Sequence, residues 1–93
     1  MKIARLVEVN YADFTAAMKK ARAAGGFVTP ETKPEWKAAV AERGVKAEAF
    51  KLMASERYGA EEIAILNGAE PWDGLFAWNP ESHVCVRFAV SDG

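Results

Sequence analysis

The hydrophobic period of this chain changes at Gly59. Before it, apolar residues recur at the three-to-four spacing of a helix face; after it, they alternate or run in short blocks between turns. A chain patterned this way builds helices first and strands later. The expected class is therefore α+β: an N-terminal strand, three helices, then a short antiparallel β-meander packed on the helices.

The first strand is expected at Lys2–Val9, from Ile3, Val7 and Val9 with Arg5 between them. Asn10 is placed as an N-cap, with Asp13 in the first turn, where the helix dipole favours an acid. Tyr11, Phe14, Met18 and Ala21 form the apolar face, and Gly25-Gly26 ends the helix. Thr32 and Glu35 have the capping-box spacing, opening a second helix through Trp36, Ala39 and Val40 to Arg43, closed by Gly44. A third helix runs from about Lys46 to Arg57, with Phe50, Met53 and Ala54 inward.

Beyond Gly59, Glu62–Leu66 reads as a strand followed by the Asn67-Gly68 turn. Leu75–Trp78 and His83–Val90 read as a hairpin around Asn79-Pro80-Glu81-Ser82. In the last strand Val84, Val86, Phe88 and Val90 alternate with His83, Cys85, Arg87 and Ala89. One face is expected on the helices and the other toward solvent or a partner. Any of Lys2–Val9, Glu62–Leu66 or the final hairpin could be central. Too few strands are present to close a barrel, so an exposed edge is expected, and pairing of two such edges would give a homodimer.

With 93 residues, a single domain spanning 1–93 is expected. No run reaches the roughly 18 apolar residues of a membrane span, so no membrane partner is expected. Arg5 and Glu8 interrupt any leader-like apolar start, and the lone Cys85 suits a reducing compartment; the expected location is cytoplasmic. Charge is segregated. Met1 to Arg57 holds eleven Lys/Arg and seven Asp/Glu, and Tyr58 to Gly93 holds six acids and one base, giving +4 against −5.

Four groups could carry chemistry. Glu81, His83, Cys85 and Arg87 fall on one strand face and suggest a thiol nucleophile or a metal site. Alternate strand residues lie about 6.6 Å apart, however, against the roughly 3 Å that a nucleophile and its base require. Zinc takes four ligands, and one His and one Cys do not supply them. No catalytic residue, cofactor or metal is therefore expected. Ala39 to Phe50, with Gly44 at its turn, resembles a helix-turn-helix. Its reading positions, Lys46, Ala47, Glu48 and Lys51, are poor for bases or phosphates, so nucleic acid is not the favoured partner. Lys19, Lys20 and Arg22 match a helix C-terminus. Trp72 sits in a Pro/Gly turn within an acidic stretch, and tryptophan is enriched at interface hot spots.

The resulting expectation is a small non-enzymatic protein-interaction module, an inhibitor or adaptor of the kind carried by phages and mobile elements. Its partner-binding residues are expected at Glu61, Glu62, Glu70, Trp72, Asp73 and Glu81. The alternative is a helix-turn-helix-type nucleic-acid-binding regulator.

Overall fold

Strand β1 (Lys2–Val9) leads into helix α1 (Tyr11–Ala23), a short strand β2 (Phe27–Val28), helices α2 (Lys33–Arg43) and α3 (Ala47–Tyr58), and strands β3 (Glu62–Leu66), β4 (Gly74–Asn79) and β5 (Val84–Asp92). The computed structural model describes residues 2–43 and 46–92. The Gly44 turn expected between α2 and α3 lies outside the described residues.

Local chemistry sets the helix ends. The Asn10 side-chain oxygen accepts the Asp13 N–H at 3.0 Å, starting α1. Gly25 stops it with φ of 74°, a left-handed conformation that glycine adopts without a Cβ clash. Gly59 ends α3 the same way, at φ 69°, its N–H donating to the Ser55 carbonyl at 3.0 Å. At α2 the start differs from the capping box read in the sequence. The Thr32 hydroxyl donates to the Thr29 carbonyl at 2.8 Å and so serves the preceding turn.

The strands form one antiparallel sheet in the order β1-β5-β4-β3-β2. The meander β3-β4-β5 is its centre. β1 flanks β5 on one side, and β2, which the sequence pattern did not reveal, flanks β3 on the other. The register assigns each side chain to a face. Ile63, Ala77 and Val86 lie across from one another, as do Ala64 with Phe76 and Trp78 with Cys85.

Each face has its own core. Ile63, Ile65, Leu75, Ala77 and Val86 pack with Ala39 of α2 and with Ala47, Phe50 and Ala54 of α3. Ala64, Leu66, Phe76, Trp78 and Cys85 pack with Phe14, Ala17 and Ala21 of α1. The sheet is thus a middle layer with helices on both sides. This corrects the expectation of one open sheet face. It also explains why Ile63–Leu66 and Leu75–Trp78 are unbroken apolar runs, as strands covered on both faces are. The radius of gyration, 12.3 Å, is close to the ~12 Å expected of a compact chain this long. Among the described residues, no helix is long and apolar enough to cross a membrane.

Candidate functional site

The Glu81-His83-Cys85-Arg87 row does not form one solvent-facing strip. Cys85 is fully buried beneath α1, and burial pushes its thiol up to about 12. A thiol so placed holds almost no thiolate at neutral pH, and the thiolate is the nucleophile. His83 is exposed, has φ of 59°, and stacks flat on Tyr11 with ring centroids 4.6 Å apart. Glu81 is exposed in the β4–β5 turn, where the Asn79 side chain accepts the N–H groups of Glu81 and Ser82 at 2.8 and 3.2 Å. Among the described residues, no cluster of three His, Cys, Asp or Glu side chains is placed to hold a metal ion.

Arg87 has a structural task. Its Nη2 donates to the Asp73 carbonyl at 2.7 Å and its Nη1 to the Pro71 carbonyl at 3.0 Å. Its guanidinium lies over the Phe76 ring, 5.3 Å from the centroid. The Asp73 carboxylate in turn accepts the Ala69 N–H at 2.7 Å. Together these bonds clamp the loop between β3 and β4 onto β5.

The acidic stretch is divided between the two ends of the sheet. Glu61 and Glu62 stand at the start of β3 beside the end of β4, and Glu81 follows in the adjacent turn. Glu70, Trp72 and Asp73 lie in the loop at the opposite end. The length of β4 separates the two groups by about 17 Å. Trp72 is half-buried and stacks on Phe76 at 5.7 Å between centroids. A cavity of about 320 Å³ beside it is lined by Asp13, Lys20, Glu70 and Trp72, bringing together acids and one cation. The basic cluster also divides: Arg22 lies over Phe27, 4.5 Å from its centroid, while Lys20 reaches that cavity.

The helical pair has a different character. Phe50, Ala47 and Ala54 commit one face of α3 to the sheet. Its exposed positions carry Glu48, Ala49, Lys51, Leu52, Ser55, Glu56 and Arg57, a mixed pattern with no stripe of cations for a phosphate backbone. An apolar groove of about 510 Å³ runs between α2 and α3 past Trp36, Val40 and Ala47, rimmed by Lys37, Lys46 and Glu48.

The surface that stands out is the β1–β5 ribbon. β5 pairs with β4 only from Val84 to Arg87, whereas it pairs with β1 from Cys85 to Asp92. Leu6 and Phe88 still pack on the α2–α3 core. Beyond them, Lys2–Arg5 and Ala89–Asp92 continue as an arm two strands wide, about 10 Å long. Ile3 points to one face and Val90 to the other, and they are 48% and 52% exposed. Val7, further along the β1 edge, is 39% exposed. The sequence marked both strands but not the arm, because nothing in β5 reveals where β4 stops pairing with it.

No family model, no curated protein and no solved structure matches the chain.

Proposed function

We propose that this protein is a small non-enzymatic protein-interaction module, an inhibitor or adaptor, that engages its partner through the β1–β5 arm. One observation carries the reading: the arm is two strands wide and exposes one large apolar side chain on each face, Ile3 on one and Val90 on the other. An isolated two-stranded ribbon is marginal in water, and three or more strands or a covering layer are needed to steady it. An added strand along β1 supplies both main-chain hydrogen bonds and pockets for alternate side chains. The buried, protonated Cys85 thiol supports a non-enzymatic role, since it removes the thiol nucleophile that the sequence suggested.

The acidic groups at the two ends of the sheet then act as separate charged surfaces, each able to orient an approaching basic partner. The phage-borne or mobile-element setting remains a proposal resting on size and lack of catalytic motifs.

The test is a double substitution, Ile3→Lys with Val90→Lys. Both side chains are half-exposed, so the urea midpoint should move by less than ~1 kcal/mol equivalent. Partner capture from the native host should be lost, because lysine at Ile3 puts a charge on the β1 edge that blocks strand addition and lysine at Val90 puts one on the exposed apolar side chain of the other face. Capture that survives this pair but disappears with Glu70→Lys and Trp72→Ala would move the site to the β3–β4 loop and overturn the arm.

A further inference from the structure

β4 and β5 separate at Arg87, and β5 runs on to Asp92 beside β1. Its β4-side edge, from Phe88 to Asp92, carries no paired strand among the described residues. In the fork where the two strands part lies a cavity of about 310 Å³, with Gly74 and Leu75 on the β4 side and Phe88 and Val90 on the β5 side. Two arginines, Arg43 and Arg87, also line it. We propose that this fork receives the C-terminal carboxylate of an extended partner segment lying along the open β5 edge, antiparallel to β5. The inference rests on the reading of the arm as an interaction surface and names the chemistry of the partner's end.

The two arginines reach the fork from opposite faces of the sheet. Arg87 lies over Phe76 on the α1 face, and Arg43 comes from the end of α2 on the other. Both converge on Gly74. Arg43 donates to the Asn67 side-chain oxygen and, at 3.5 Å, to the carbonyl of Leu66, the residue paired with Gly74. Arg87 donates to the Asp73 and Pro71 carbonyls, and its Nη2 lies 3.5 Å from where a Cβ on Gly74 would stand. All four acceptors are neutral oxygens, so these bonds hold the guanidinium groups in place without cancelling their charge. A guanidinium has more N–H donors than these bonds use. Asp73 lines the cavity too, but its carboxylate accepts the Ala69 N–H at 2.7 Å. Two cations thus stand against one anion.

Strand direction selects the chemical group. β4 is antiparallel to β5, so a segment antiparallel to β5 in line with β4 ends where β4 begins, at Gly74. Its last carboxylate then meets both arginines. A segment running the other way would begin there, and its ammonium would be repelled. Main-chain pairing along Phe88–Asp92 supplies affinity, and a carboxylate on arginine adds a charge-assisted contact of fixed geometry. Leu75, Phe88 and Val90 give the cavity an apolar wall, which favours an apolar side chain near the segment's end. Val90, 52% exposed in the free chain, is covered by that side chain. The added strand also makes the arm three strands wide, the width at which a sheet holds itself together.

The test screens the full chain against randomised, N-acetylated hexapeptides that end in a free carboxylate, and measures the best binders by fluorescence anisotropy beside their C-terminal amides. Binders are expected to end in an apolar residue, and the amide should bind about tenfold more weakly than the acid. Arg43→Gln should weaken the acid about tenfold and leave the amide nearly unchanged. Arg43→Lys keeps the charge without the fork and should fall between wild type and R43Q. Circular dichroism checks that both variants are folded, and the comparison of acid with amide needs no substitution. Absence of any binder, or an amide that binds as tightly as its acid, would overturn the carboxylate site. Acid binding undiminished in R43Q would overturn its place in the fork. 4-Methylpentanoic acid that binds as tightly as the peptides would overturn the strand along β5. Partner capture from the native host separates this site from the reading it rests on. Capture lost on Ile3→Lys but unchanged in R43Q would overturn the site and keep the arm. Capture lost in R43Q but unchanged on Ile3→Lys would keep the site and overturn strand addition along β1.

Discussion

Arg87 is the side chain whose removal should reveal most about how the β3–β4 loop is held. Arg87→Ala deletes a charged hydrogen bond to the half-buried Asp73 carbonyl, a second to the more exposed Pro71 carbonyl, and a guanidinium lying on Phe76. A hydrogen bond from a charged donor contributes about 1.5 kcal/mol or more where water is excluded, and about 0.5 kcal/mol where it is not. The cation–ring contact adds roughly 0.5 kcal/mol at a partly exposed site. The sum is about 2.5 kcal/mol, a large share of the ~5–14 kcal/mol expected of a chain this long. Urea unfolding followed by tryptophan fluorescence reads it. With a slope near 1–1.5 kcal/mol/M for a small domain, the midpoint should fall by about 2 M at unchanged slope. Arg87→Lys keeps the charge but not the planar fork, and should recover about half of the loss. A shift below ~0.5 kcal/mol in R87A would refute the clamp, and a lysine variant as stable as wild type would show that charge alone suffices.

Three further outcomes follow from the α1 side of the sheet. Native Cys85 should resist alkylation at pH 8 and react only on unfolding, as detected by mass spectrometry; prompt labelling of the folded chain would mean that the thiol is accessible. The folded thiol ionises near 12 and the unfolded one near 9.0, so its share of stability is fully present below pH 9. That share is lost as pH rises toward 12, at about 1.4 kcal/mol per unit, relative to a Cys85→Ala reference that lacks this slope. Trp72→Ala should cost about 1–2 kcal/mol through its lost stacking on Phe76, while partner capture by the folded variant stays unchanged. Unchanged stability with lost capture would make Trp72 an interface residue.

Much of the architecture was legible because its signals are local. Asn10, Gly25 and Gly59 mark helix ends by their own backbone and side-chain chemistry, and the positions inferred from sequence are those observed. The three-to-four spacing in α1 selected Phe14 and Ala21, both fully buried. Coverage of the sheet was harder to read. The alternation in β5 suggested an open polar face, yet α1 lies over Cys85, and the β3–β4 loop closes over Arg87. Ile63–Leu66 and Leu75–Trp78 carried the contrary signal, since unbroken apolar runs belong to strands buried on both faces. β2 is two residues long and too short to generate a period. The acidic stretch was continuous in sequence and is split in space, because a strand carries the chain from one end of the sheet to the other. The arm was invisible for a related reason: which strands pair, and how far, is a non-local property.

Hydrogen exchange along β1 tests the central claim most directly. In the single chain, alternate β1 amides bond to β5 and the others face outward from the sheet edge. Dilute protein should therefore show slow and fast amides alternating from Ile3 to Val9. With the captured partner bound, the fast set should become protected, while amides of the β2 edge do not change. Outward-facing β1 amides that exchange at the unprotected rate with the captured partner bound would contradict a β1-edge interaction surface.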